Sequence, residues 1–384
     1  MSHLTETLLS HLAQDHPNKQ LIQKILNQER ITPDEGLQLY SIDLPLLGML
    51  GAWVRKQKNG EDVFFNHNIH LEPTNICVYD CHFCAYHRNA NEEGAWSFSN
   101  QEMLQKVADA VHKGITEVHI VGGVHPERDI HYYGSLIEQI HRNYPEIHIK
   151  AFTAVEIDFM CQKARMPLEE GFAYLKERGL GSLPGGGAEI FNPQVRKKVC
   201  HEKSNGQDWL RIHELAHKQG LHSNATMLYG HIETSADRID HMSQLRQLQD
   251  RTNGFNAFIP LKFKNANNRL SYLPEATLLE DMKNYAVARI FLDNIPHIKA
   301  YWPMIGRDAA QLALSFGVDD LDGTIEDSTR IYSMAGSKEE KPAMSTQNLI
   351  HLIHQAGFTA VERNTLYQPL QRFEPERVKN ISES

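Results

Sequence analysis

The sequence predicts an α/β protein built on a (β/α)8, TIM-like barrel, with a helical segment before it and a shorter extension after it. Three observations lead there. After Asn59-Gly60 the pattern changes to short β-rich runs separated by amphipathic stretches, the alternation of βα units around a parallel sheet. Eight such runs can be counted, which suits a closed barrel. The 384 residues accommodate one barrel of about 250 residues with extensions at both ends. The expected divisions are a helical segment over 1–59, a barrel over 60–325 and an extension over 326–384.

Taken in order, Leu8, Leu12, Leu21 and Ile25 recur at helical spacing. Thr32-Pro33-Asp34-Glu35 reads as an N-cap, an N1 proline and an acidic first turn. Strands are expected at 68–72, 117–121, 148–153, 180–183, 222–228, 256–261, 297–301 and 312–316. Helices are expected at 100–113, 133–143, 168–178, 208–218, 235–249 and 275–291, several opening on Asn, Asp or Ser and ending at Gly. One more helix, over 345–355, lies in the extension.

Hydrophobic residues at 41% and charged residues at 23% describe an ordinary globular chain, which excludes collagen-like, coiled-coil and disordered classes. The net charge of −9, with no long run of Lys or Arg, argues against a nucleic acid or an anionic membrane held by bulk electrostatics. No signal-peptide pattern opens the chain and no stretch approaches a membrane span, so a cytoplasmic protein is expected. There disulfides are rare, and five Cys is an odd number for a stapled fold.

Three of those five lie within eight residues, as Cys77-Val-Tyr-Asp-Cys81-His-Phe-Cys84, in the loop directly after the first barrel strand. Thiolates this close can hold three irons of a [4Fe-4S] cluster, and with no fourth Cys nearby one iron stays open to a ligand. The competing reading is a zinc site, although structural zinc more often uses paired Cys or His on both sides of a knuckle. Cys161 and Cys200 read as small apolar residues. Arg238, His241 and Arg246 share a helix and read as its solvated face. The aromatic pairs Tyr132-Tyr133 and Tyr301-Trp302 read as packing.

The C-x3-C-x-aromatic-C string, with Phe83 as the aromatic, resembles the signature of the radical SAM superfamily. The resemblance implies a TIM-like barrel, metal ligands Cys77, Cys81 and Cys84, and S-adenosylmethionine chelating the open iron and being cleaved to methionine and a 5'-deoxyadenosyl radical. It further implies that Gly122-Gly123, after the second strand, contacts the amino group of S-adenosylmethionine. The acid usual after those glycines is replaced by Val124 and His125, so only backbone groups carry over. Glu156, placed at the end of the third strand, either binds the ribose hydroxyls or amino group of S-adenosylmethionine or caps the segment after it. Asn224 and Thr226 on the fifth strand meet a bound adenosine or are satisfied by neighbouring strands. Gly185-Gly186-Gly187 fits no phosphate loop and suggests close backbone approach to a ligand.

Within that superfamily the segments KAFTAVEI, SLPGGGAEIF, SNATMLYGHIE, HMSQLRQLQD and GFNAFIPLKF resemble the aminofutalosine synthases of the futalosine route to menaquinone. This implies a transferase in which the adenosyl radical adds to the enol ether of 3-[(1-carboxyvinyl)oxy]benzoate, with rearrangement and decarboxylation to 6-amino-6-deoxyfutalosine, and in which S-adenosylmethionine is consumed. A flavodoxin or ferredoxin is the implied electron donor. The other reading is a hydrogen-abstracting relative, such as a dehypoxanthine futalosine cyclase or a deazaflavin-forming synthase. His125, Arg196, Arg211 and Lys262 are candidate partners for the two substrate carboxylates.

Overall fold

The computed structural model describes residues 16–375, together with Thr7. Leu8 and Leu12 lie outside the described residues. Among the described residues 16–59 the prelude is three helices, Lys19–Leu26, Pro33–Leu39 and Leu44–Asn59, and the second opens on the expected capping box between Thr32 and Glu35. Small residues let these helices sit close to the barrel's last layer. Gly36 faces the Phe291 ring and Gly51 faces Ala286, both on the helix Leu278–Phe291.

The strands are β1 (Asp62–Asn66), β2 (Asn68–Leu71), β3 (Glu117–Ile120), β4 (His148–Ala151), β5 (Leu180–Leu183), β6 (His222–Tyr229), β7 (Phe255–Lys262), β8 (His297–Ile298), β9 (Asp320–Gly323), β10 (Thr359–Arg363) and β11 (Pro369–Phe373). Strands β2 to β8 form one curled parallel sheet in chain order, with helices between successive strands. This is the α/β barrel architecture that the alternation predicts, and each crossover buries its amphipathic helix on the outside.

The eighth position is filled differently from the expectation. The apolar run 312–316 is helical, comprising the end of Arg307–Ala313 and the 3-10 turn Leu314–Phe316. The chain instead reaches the barrel at β9, which meets the sheet through a bridge between Lys299 and Asp320 and pairs with β1. Strand β1 also pairs with β10, and β11 adds antiparallel at that edge. Thr324, just past β9, accepts from Asn68 N at 3.2 Å and donates to Asn68 O at 2.9 Å, so the two ends of the curled sheet are tied together.

A layer of buried charge lies where the sheets join. Lys150 on β4 pairs with Glu117 on β3 at 2.6 Å, Lys299 pairs with Asp322 at 3.0 Å, and Arg363 on β10 pairs with Asp320 at 2.6 Å. Removing one partner of such a pair leaves a buried charge short of compensation, which costs up to about 3–5 kcal/mol; Asp320 would keep only the longer contact to Lys299 at 3.7 Å. Arg363→Met is therefore expected to lower stability by about 3 kcal/mol, read as a lower urea midpoint with an unchanged slope.

Candidate active site

Strand β2 delivers the chain directly into the cysteine loop, and the side chains of Thr74 and Asn75 tie that loop to its own backbone. Thr74 Oγ1 donates to Trp96 O at 2.7 Å, Asn75 Nδ2 donates to Gly94 O at 2.9 Å, and Trp96 N donates to Asn75 Oδ1 at 2.8 Å, folding residues 74–98 back on themselves. The loop after β3 braces it from the side: Gly123 N donates to Thr74 O at 2.7 Å and Val78 N donates to Val124 O at 2.9 Å. His82 N donates to Val199 O at 2.9 Å, which fixes the far end.

Cys77, Cys81 and Cys84 consequently line one cavity of about 280 Å³ at the barrel mouth. Cys81 is buried and the other two are half-buried. Backbone amides aim at two of the sulfurs, Tyr79 N at Cys77 Sγ and His87 N at Cys84 Sγ, each at 3.4 Å. Burial pushes all three thiols above their ordinary value, so binding metal there must release protons. Among the described residues no three His, Cys, Asp or Glu side chains converge closely enough to hold a single metal ion. Three thiols that share a cavity without meeting at a point, with amides donating to sulfur, fit an iron–sulfur cluster better than tetrahedral zinc. Cys200 packs with Cys81 in one apolar cluster and Cys161 lies in the main core, as small apolar residues do.

Phe83, Gly122, Gly123, Glu156, Asn224 and Thr226 all line the same cavity. The capping alternative for Glu156 holds, although the residue lies beyond the strand end expected for it. Strand β4 ends at Ala151, and Glu156 is the third residue of the helix Ala154–Ala164, where it completes a capping box with Thr153. Its carboxyl accepts from Thr153 N at 2.8 Å, from Thr153 Oγ1 at 2.7 Å and from Gly122 N at 3.1 Å, so it joins the β4 exit to the glycine turn. Thr226 Oγ1 donates to Gly185 O at 2.6 Å, while buried Asn224 faces the cavity beside it. All three glycines of the triplet Gly185-Gly186-Gly187 approach other groups closely: a Cβ on Gly185 would lie 2.6 Å from Asn224 O, one on Gly186 2.8 Å from Thr153 Cγ2 and one on Gly187 2.6 Å from Val155 Cγ2.

Burial raises the Glu156 carboxyl to about 7, against the three hydrogen bonds that favour its ionised form. Its folded value lies above its unfolded one, so its stabilisation is complete below pH 4.5 and is lost as pH rises toward 7. Unfolding of the cluster-free protein by urea should lose about 3 kcal/mol over that window relative to Glu156→Gln, which cannot titrate.

The cations at the mouth were only partly legible in sequence. Lys262 lines the cavity as expected, and Lys203 and Lys264 join it. Each is already paired: Lys203 with Glu189 at 2.6 Å, Lys262 with Asp281 at 2.8 Å and Lys264 with Glu275 at 2.6 Å. Arg196 is buried and donates to the carbonyls of Gly187, Ala188 and Ser204, a structural task. Arg211 is exposed on an outer helix, and His125 is half-buried and outside the cavity lining. Arg238, His241 and Arg246 are not a solvated face. All three are buried, Arg238 against Glu233 at 2.6 Å, His241 on Thr226 O at 2.9 Å, and Arg246 on the carbonyls of Ile31 and Phe291. Tyr132, Tyr133 and Trp302 pack as expected, but buried Tyr301 also reaches the cavity. His70 and His119 line it too and were not singled out by sequence; their one signal is alternation, since both stand on inward positions of adjacent strands.

Residues 71–245 match the family model described as the radical SAM superfamily, and residues 252–376 match that described as the CofH/MqnC C-terminal region. The chain is 43% identical over 356 residues to the aminodeoxyfutalosine synthase of Thermus thermophilus, covering 91% of this chain and 95% of the relative. It is 40% identical over 367 residues to the aminodeoxyfutalosine synthase of Streptomyces coelicolor, covering 93% and 95%. The crystal structure of methylornithine synthase superposes with a TM-score of 0.70 at 16% identity, over 88% of this chain and 96% of that one, a likeness of fold. With its three-cysteine loop at the mouth of a curled parallel sheet, the chain belongs to the radical SAM superfamily, within the family that includes the aminodeoxyfutalosine synthases.

Proposed function

We propose that the chain is an aminodeoxyfutalosine synthase acting on 3-[(1-carboxyvinyl)oxy]benzoate, with S-adenosylmethionine as consumed co-substrate. The observation that supports this beyond family membership is one cavity, walled largely by apolar residues, that the three cluster-type thiols share with Gly122, Gly123 and Glu156. The net change joins C5' of adenosine to the vinyl carbon, moves the aryl ring from oxygen to carbon, and releases carbon dioxide and methionine without net oxidation. When bound by Cys77, Cys81 and Cys84, a [4Fe-4S] cluster supplies the electron that cleaves S-adenosylmethionine to methionine and the 5'-deoxyadenosyl radical.

The chain's own part is placement and exclusion of water. Leu228, Ile259, Leu261 and Phe263 line the cavity and supply the apolar surface against which a bound substrate would displace water. Gly122 and Gly123 present backbone with no Cβ in the way, while Phe83, Glu156, Asn224 and Thr226 offer the adenosyl and methionyl groups their remaining surface. The segment 329–331 closes one side, held by buried Glu72, which accepts from Thr329 Oγ1 at 2.6 Å and Arg330 N at 3.0 Å. None of the five cysteines is in a disulfide, and no helix among the described residues is long and apolar enough to cross a membrane. We place the enzyme in the cytoplasm with a flavodoxin or ferredoxin as reductant.

The test is anaerobic reconstitution of the cluster, addition of S-adenosylmethionine, dithionite and 3-[(1-carboxyvinyl)oxy]benzoate, and mass spectrometry of the adenosine-containing products. An adenosyl adduct that has lost one carboxylate is expected. Free 5'-deoxyadenosine alone would assign the chain to the hydrogen-abstracting relatives.

A further inference from the structure

The cavity contains two histidines that the reaction above leaves without a task. The register of β2 and β3 sets His70 beside His119, with ring centroids 4.4 Å apart. Tyr301 stacks on His70 at 5.8 Å with the planes 11° apart. His70 is 6% exposed, its Nδ1 lies 3.4 Å from the Tyr301 hydroxyl, and its Nε2 has no partner. With the Tyr301 hydroxyl donating to Nδ1, a neutral ring carries its proton on Nε2. The cavity therefore holds a buried N–H with nothing to receive it, a cost of about 1–3 kcal/mol that a ligand acceptor would offset.

Charge directs the choice of ligand. Lys203, Lys262 and Lys264 are each committed to a carboxylate. The groups around His70 on the barrel side are His119, Glu117, Lys150, Lys299 and Asp322, in which Glu117 and Asp322 already balance the two lysines. An anion entering the cavity thus finds uncommitted N–H donors at the histidine pair, both rings being held neutral chiefly by burial. Position favours the carboxylate remote from the reacting bond. His70 and His119 stand within the strands, whereas the cysteines and the glycine turn that flank the adenosyl group lie in the loops beyond their ends. Tyr301 lies nearly parallel to His70, the planes 11° apart, and His119 is tilted by 32° beside it, a surface against which an aromatic ring can pack.

We propose that His70 and His119 form the subsite for the ring carboxylate of the substrate, with Tyr301 supporting the ring. This rests on the reaction proposed above. The test is calorimetric titration of cluster-loaded, S-adenosylmethionine-bound protein with 3-[(1-carboxyvinyl)oxy]benzoate and with 2-phenoxyacrylate, which lacks the ring carboxylate. Wild type should bind the first about 10–100-fold more tightly, the range of a charge-assisted hydrogen bond. His119→Gln and the double variant His70→Leu/His119→Leu should lose most of that preference while 2-phenoxyacrylate binds as before, with an unchanged cluster spectrum and unchanged affinity for S-adenosylmethionine. If the double variant does not fold, His119→Gln alone decides. Equal weakening toward both ligands, or an undiminished preference, overturns the subsite. Binding with full discrimination by wild type but no adenosyl adduct would overturn the proposed reaction and leave the subsite to be judged on the variants. Failure of wild type to bind the dicarboxylate overturns both.

Discussion

Changing Cys77, Cys81 or Cys84 singly to alanine is expected to remove the cluster and to lower adduct formation by more than about 1,000-fold, a barrier increase of about 4 kcal/mol or more. Each thiol is one of three on a short loop, and nothing nearby replaces it: Cys200 packs in an apolar cluster with Cys81, Val199 and Leu270, and Cys161 sits in the main core. Two thiolates leave two irons without protein ligands, and the hold of three is lost rather than reduced by a third. The loop itself should survive, because only the long bonds from Tyr79 N and His87 N end on sulfur, while the shorter ones run through Thr74, Asn75, Trp96 and Val124. Iron content and the broad visible absorbance should therefore disappear while the thermal midpoint of the cluster-free protein stays nearly constant. Cys161→Ala and Cys200→Ala should keep iron and turnover and lose only packing. Full turnover in any of the three loop variants would eliminate radical chemistry at this site.

The parts of the fold legible in sequence are those whose signal is local. The sheet order β2 to β8 follows from short apolar runs and capped helices, each declared within its own residues. Strand β9 was illegible because its sequence is Asp320-Leu-Asp-Gly, and charged residues read as a loop. Its two aspartates are buried only because Lys299 and Arg363, the latter 43 residues further on, neutralise them. The run 312–316 misled for the opposite reason. It is apolar but too short to separate strand from helix by periodicity, and its Phe316 ring packs against Gly48 of the first helical segment. The same distinction holds at the site. The cysteine string declares itself in eight residues, whereas the pairing of His70 with His119 exists only through the register of two strands, and the burial of Arg238 depends on Glu233, Glu280 and Asn284.

That division between local and assembled features gives the second large effect, at Gly123. Its backbone is not in the left-handed region, so alanine there would meet no conformational penalty, and any effect must come from space. The space is absent. A Cβ would be driven onto the Ile76 carbonyl oxygen and would lie 3.0 Å from the Asn75 carbonyl carbon, and both are backbone of the cysteine loop that cannot rotate away. The collision falls between two anchors, Gly123 N on Thr74 O at 2.7 Å and Val78 N on Val124 O at 2.9 Å, which bracket Cys77. Relief requires the loop after β3 and the cysteine loop to separate, stretching one or both bonds and moving Cys77 away from Cys81 and Cys84. Gly123→Ala is accordingly expected to cost about 2–4 kcal/mol in urea unfolding, the range of overpacking with lost buried hydrogen bonds. Reconstituted iron should fall below about a tenth of wild type and turnover by at least 100-fold, about 3 kcal/mol in the barrel's catalytic capacity. Gly94→Ala, at an open turn of the same loop with φ +80°, should cost only about 1 kcal/mol of strain and retain its iron. If Gly123→Ala loads iron like wild type, the glycine turn does not set the position of Cys77, and the close contact between the two loops is incidental to cluster binding.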